Sequence, residues 1–363
     1  MPVEFIGFIG SRNHSEIIPP SDPVVDPKHI ETAAKIHENG GFDRALIAFH
    51  SNSPESILIA QHAASTAPDL GLLIAHRPGF NAPTIAARQF ATLDHITRGR
   101  VAVHIITGGS DLELQADGDH TTKAQRYART SEYLDIVRRE WSETSPFDYK
   151  GKFYDVHGAN SLVHPYREEG IPVYFGGSSE EAIEVAGKHA DVYALWGETY
   201  EQVAETVARV RAAAAKHGRS PRFSLSLRPI LAGTEEAAWA RADHILEKAS
   251  ALQEKTGYVR AAEIPNEGSR RLLAAAAQGT RLDKRLWTGL AALTGAKGNS
   301  TSLVGTPEQV AEALIDYYRL GISTFLIRGF DPLLDAYEYG RDLIPLVREL
   351  VAEEDNRVLT RAA

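Results

Sequence analysis

Cysteine is absent from all 363 residues. That excludes a disulfide framework, a thiolate zinc site and a cysteine nucleophile, although it leaves the compartment undefined. No apolar run is long enough to span a bilayer, and the first residues lack the basic and apolar pattern of a signal peptide, so a cytoplasmic location is expected. Positive charge is in short supply too. The formal net charge of -9 makes a nucleic acid or an anionic membrane an unexpected partner. Any anionic ligand must then be held by a local basic cluster. No solenoid-period repeat and no low-complexity segment interrupts the chain.

What is there is apolar residue in quantity. A hydrophobic content of 43% over this length supports a large core, fitting one big α/β barrel or two smaller domains. Short apolar runs alternate with amphipathic segments. Strands are expected over Val3–Gly10, Phe42–Ile47, Leu70–His76, Arg100–Thr107, Ile171–Gly176, Ala190–Leu195, Arg222–Ala232 and Ser323–Arg328. Between them fall helical patterns, among them Asp26–Asn39, Pro54–Ser65, Ala82–Thr97, Thr122–Thr144, Tyr200–His217 and Leu333–Leu350. Phe147–Ala159 alternates around a Lys150-Gly151 turn and reads as a small hairpin.

Eight β–α units imply parallel strands closed into a (β/α)8 TIM barrel, with function at the C-terminal strand ends. Residues 1–350 then form a single domain with a long insertion after strand seven, residues 234–304. Its first and middle parts look helical. Its end, LTGAKGNSTS at 293–302, is polar and Gly-rich and fits either a mobile lid or an inert surface loop. The tail 351–363 is expected to fray.

Ile171–Ala182, IPVYFGGSSEEA, is the stretch around which the ligand argument turns. It reads as a strand running into a helix N-terminus, where free N–H groups and the helix dipole favour an anion such as phosphate. Gly176 and Gly177 let backbone come close, and Ser178 and Ser179 can cap the helix or donate to phosphate oxygens. The same residues also fit an ordinary N-cap after a strand. Other strand ends add Phe8, Ser11, Arg12 and His14; Phe49, His50, Asn52 and Ser53; His76 and Arg77; Thr107 to Ser110; Trp196; Arg228; and Arg328 with Phe330. One rim with cationic, aromatic and hydroxyl groups suits an anionic, partly planar ligand.

Several segments resemble the flavin-dependent luciferase-like monooxygenases, and most of all the alkanesulfonate monooxygenases. They are TIAARQFATLDHITRGR at Thr84–Arg100, VAVHIITGGS at Val101–Ser110, Arg126-Tyr127, YFGGSS at Tyr174–Ser179, WGE at Trp196–Glu198, HGR at His217–Arg219, LWTG at Leu286–Gly289 and LVG at Leu303–Gly305. The resemblance implies an oligomeric barrel, dimer or tetramer, that takes reduced FMN from a separate NAD(P)H flavin reductase. With O2 as co-substrate it would cleave the C–S bond of an organosulfonate to an aldehyde and sulfite. It also implies that Gly177 backbone, Ser178, Ser179 and Tyr127 hold the FMN phosphate. Thr107 and His76 would lie near the ring, and Trp196 would form part of the wall.

Where this chain departs from the family, the substrate end is affected. Ser53 stands where the alkanesulfonate enzymes carry a cysteine. Ser226 and Arg228 replace an arginine and a histidine on strand seven, and Phe330 and Pro332 replace a tyrosine and a histidine after strand eight. Lys297 is the nearest cation to the family's lid arginine. One reading makes Arg228 and Arg328 the substrate anion receptors, with Lys297 closing over them and His14 or His50 as proton donor. In the other the sulfonate site is lost. A different polar substrate such as a sugar sulfonate or sulfone, a deazaflavin in place of FMN, and a flavin-binding protein without turnover stay open beside the organosulfonate.

Overall fold

The computed structural model describes residues 2–256, 266–296 and 298–362. Eight parallel strands close a barrel: β1 (Glu4–Phe8), β2 (Arg44–Ile47), β3 (Gly71–His76), β4 (Val101–Ile105), β5 (Val173–Gly176), β6 (Val192–Trp196), β7 (Arg222–Leu227) and β8 (Ile322–Ile327). The ring closes where β8 pairs β1, with Thr324 beside Glu4 and Phe325 beside Phe5. All six residues of β3 and of β8 are buried, as expected of strands packed on both faces. This is the (β/α)8 barrel that the alternation called for.

Helices α1 (Pro27–Asn39), α2 (Ser56–Thr66), α3 (Pro83–Thr97), α4 (Lys123–Ser142), α5 (Glu180–His189), α6 (Tyr200–Ala215), α7 (Pro307–Arg319) and α8 (Ile344–Ala362) surround it. Their starts are written locally. Asp26 accepts from Lys28 N and His29 N ahead of Pro27, and Thr122, Thr199 and Thr306 each form a reciprocal capping box with a glutamine three residues on. Alternate strand residues divide between two cores. Phe5, Leu72, Ile74, Val103 and Phe175 face the helices, whereas Ile6, Leu73, Ala102, Tyr174, Val192 and Leu326 fill the barrel axis.

Three expectations change. The run 222–232 is not one strand: β7 stops at Leu227, and Ile230–Leu231 joins a small sheet with Ser302–Gly305, Leu286–Trp287 and Arg281–Leu282. Pro229 cannot donate to a ladder, so the chain leaves the barrel there. Within the insertion, helix Glu235–Thr256 packs on that sheet through Ala238, Ala242 and Ile245, with Trp287, Leu290 and Phe330.

The lid reading of 293–302 fails over its second half. Ser300, Thr301 and Ser302 are buried; Thr301 Oγ1 donates to Gly197 O at 2.6 Å and Thr301 O accepts from Arg228 N at 3.0 Å. These residues are fixed wall of the barrel mouth. Lys297 lies outside the described residues. The tail is no frayed end either: α8 runs on to Ala362, with Val351 buried and Glu354 and Asp355 bonded to Arg319 and Tyr318 of α7. The Phe147–Lys150 and Asp155–Ala159 hairpin forms as expected.

Candidate active site at the barrel mouth

Between β5 and α5 the backbone makes a cradle. Gly177 has φ +129°, and a Cβ there would lie 2.9 Å from Ala182 Cβ and 3.3 Å from Tyr127 Oη. Only glycine meets both demands at low cost. Its carbonyl takes the hydroxyl of Tyr193. Ser178 is half-buried, and Ser179 caps α5 by accepting from Ala182 N at 3.4 Å. Tyr127 projects from α4 with its hydroxyl bonded to Ser179, and burial raises its pKa, so the phenol stays neutral and keeps its proton to donate. Lys123, one turn earlier on α4, approaches Glu181 Oε2 at 3.4 Å. Glycine backbone, two hydroxyls, a phenol and a lysine at the head of a ten-residue helix suit a phosphate. The cradle that a Cβ would fill thus fits the terminal phosphate of a flavin nucleotide.

Beside this cradle, Thr107 Oγ1 lies 3.4 Å from Thr130 Oγ1, one turn of α4 beyond Tyr127. His76 stands at the neighbouring strand end but points elsewhere. It follows Leu72 and Ile74 onto the outer face, with Nε2 2.7 Å from Tyr133 Oη and its ring edge-on to Phe90 at 5.1 Å. Burial lowers its pKa to about 4, so it is neutral at physiological pH. The expectation that it faces the ring is corrected: strand parity turns it into the helix layer. Across the lumen, β4 presents His104, a residue the sequence reading missed. It sits two residues after the axial Ala102, half-buried, and surrounding protein holds it at about pKa 4. The alternation in VAVHI was the available signal. Trp196 ends β6 on the axial parity and packs on Leu272, Ala291 and Ala296 of the insertion, forming a wall.

The opposite side of the mouth is cationic. Arg228 and Arg328 each stand two residues beyond an axial position, Ser226 and Leu326, which are themselves paired in register. Arg228 is 1% exposed; its Nη2 donates to Glu16 Oε2 at 2.8 Å and to Gly329 O at 2.9 Å, with Phe330 against its face at 3.7 Å. Arg328 Nη2 donates to Glu16 Oε1 at 3.3 Å and lies over Phe8 at 5.2 Å. Arg228 was expected as an open anion receptor; instead it is sealed beneath an acid from the β1–α1 loop. Burial would raise the Glu16 carboxyl, but the two guanidiniums outweigh it and hold its pKa well below the usual range.

His14 is exposed at the same rim. Its pKa is lowered by partial enclosure and by Arg12 and Arg328, against the opposing pull of Glu16. Ser53 closes a turn, its hydroxyl donating to His50 O and accepting from His50 N, both at 2.8 Å. It is therefore engaged locally. His50 points to Asn52 Oδ1 at 2.9 Å and to Glu113 Oε1 at 3.5 Å, and Glu113 in turn pairs buried Arg77 at 2.7 Å. Among the described residues no cluster of three or more His, Asp or Glu could hold a metal ion.

The chain is similar to several solved structures. Riboflavin lyase (RcaE), solved with modified FMN and riboflavin, superposes with a TM-score of 0.78 at 19% identity, covering 96% of this chain and 92% of its own. EDTA monooxygenase (EmoA) from Chelativorans sp. BNC1 gives 0.74 at 19% identity, with 96% and 94% covered. DmoA from Hyphomicrobium sulfonivorans gives 0.77 at 18%, with 96% and 88% covered. These likenesses define the fold. The sequence profile described as Luciferase-like monooxygenase matches residues 3–324, and the chain belongs to that family.

Proposed function

We propose that this chain is the oxygenase of a two-component system, using FMNH2 and O2 to cleave the C–S bond of an anionic organosulfur compound to an aldehyde and sulfite. The observation that carries the reading is a mouth with two unlike ends: a glycine-serine cradle at the head of α5 and a paired arginine site across the lumen. Support comes from the family and from fold relatives named for monooxygenase activity on a polyanion, EDTA, or solved with FMN.

Gly177, Ser178, Ser179 and Tyr127 would hold the phosphate, with Thr107 and Trp196 bounding the ring. The bound flavin supplies the electrons that reduce one oxygen atom to water while the other enters the substrate. The overall balance is RCH2SO3⁻ + FMNH2 + O2 → RCHO + HSO3⁻ + FMN + H2O. The protein's share is to orient and to exclude water. Arg328, with Arg228 beneath it, orients the sulfonate, while Phe8 and Trp196 dry the space between. His14, held toward its neutral form, accepts the proton that leaves carbon as the aldehyde forms, and His104 faces the lumen as a second neutral imidazole. An NAD(P)H:FMN reductase would deliver the cofactor, and a homodimer or homotetramer in the cytoplasm is the expected assembly.

Photoreduced FMN, mixed anaerobically with the protein and then exposed to O2 with a panel of sulfonates, tests the proposal. Stoichiometric sulfite is expected with at least one of them. Turnover of a deazaflavin without O2 uptake, or flavin binding with no product from any compound, would overturn it.

A further inference from the structure

Glu16 touches both arginines of the mouth, one carboxylate oxygen to each. Arg228 is buried beneath it, while the Glu16 and Arg328 side chains each keep 30% of their surface exposed. A ligand entering from solvent therefore meets the acid and Arg328 before Arg228. Two guanidiniums and one ionised carboxylate leave a single net positive charge at this place. The hydrogen-bonding is also incomplete, because Arg228 Nε and Nη1 are buried without a partner among the described residues. A polar group that comes with a ligand is the natural complement to those donors.

The acid is held by more than its ion pairs. Ser15 Oγ accepts from Ile17 N and Ile18 N at 3.2 Å each, and Ile17 packs against the insertion core that contains Trp287 and Phe330. The turn keeps the carboxylate in position whether or not a ligand is present.

We propose that Glu16 is a specificity-determining residue: it fills part of the Arg228–Arg328 anion site, leaves one net positive charge, and so selects a singly charged oxyanion over a doubly charged one. This rests on the reading that the mouth binds an organosulfur anion. It makes the preferred substrate a monosulfonate without a second acidic group near the first.

Calorimetric titration of the full-length protein with methanesulfonate and with inorganic sulfate, at constant ionic strength and without flavin, tests it. Wild type should favour methanesulfonate. Glu16→Gln removes the negative charge and should shift the preference toward sulfate by about tenfold, because a dianion gains more than a monoanion from the added positive charge. Glu16→Asp, which keeps the charge, should retain the wild-type preference. A purely structural Glu16 would lower the melting temperature of both variants and leave the ratio of the two affinities alone, and that result overturns the inference. If Glu16→Gln does not fold, Arg328→Gln, which brings the net charge to zero, should weaken methanesulfonate about tenfold; unchanged binding is equally fatal, as is failure of either anion to bind wild type. Sulfite release by wild type with an unchanged affinity ratio would defeat the Glu16 inference alone. Shifted affinities without sulfite release would defeat the proposed reaction alone.

Discussion

Gly177 concentrates the cofactor question in one backbone position. Its φ of +129° lies outside the range that L side chains readily adopt, and a Cβ would press Ala182 and Tyr127. Gly177→Ala should cost about 1–3 kcal/mol of stability and weaken FMN binding roughly tenfold, read by flavin fluorescence titration and thermal melting. Unchanged FMN affinity in a destabilised protein would detach the cradle from the cofactor. At this scale the sequence was readable where geometry is local. GGSS before two acids announces a cap and a close backbone, and both are found. It was unreadable where partners are remote. Arg228 and Glu16 stand 212 residues apart, so nothing near Arg228 disclosed that its charge was already met.

The insertion shows what elements contribute. Thr301, at 1% exposure, ties the mouth to Gly197 next to Trp196, while its carbonyl holds the start of the Arg228 segment. Thr301→Val keeps the shape and leaves the Gly197 carbonyl unmet. It should lower stability by about 1–3 kcal/mol, measured by chemical denaturation. It should also reduce turnover, because the Trp196 wall loses its tether. Helix starts were legible from capping residues and strands from apolar runs, with ends good to a few residues. The small sheet was not, since Ile230–Leu231 and Leu286–Trp287 are two-residue strands whose apolar character has no period of its own. Their pairing with Ser302–Gly305 exists only once the insertion has folded back.

For the molecule as a whole, buried neutral histidines set the acid limit. His37 donates from Nδ1 to Ala33 O and accepts from Phe8 N at Nε2, a pairing that a protonated ring cannot keep. Burial lowers both His37 and His76 to about 4. Above about pH 6.5 the rings are neutral in the folded and unfolded chain and add nothing to the pH slope. As pH falls from 6.5 to 4 the unfolded chain binds protons that the folded one refuses, so stability drops by about 1.4 kcal/mol per pH unit for each ring. Melting temperatures between pH 7 and pH 4 should therefore decline steadily, and a His37→Gln variant should show a shallower decline. A flat profile would mean that these rings accept protons in place.

What the sequence determined alone follows from interactions that repeat along the chain. Eight apolar runs separated by capped amphipathic helices can bury their surfaces and satisfy their backbone in a closed parallel barrel, and GGSS at a strand–helix junction specifies an anion cradle from neighbouring atoms. Tertiary structure decided which side chains face the axis and which charges remain. A strand's parity sends His76 outward and His104 inward, and a loop from the first strand lays Glu16 over Arg228. Both results depend on contacts between residues far apart in sequence, where closure of the barrel brings groups together that no local pattern connects.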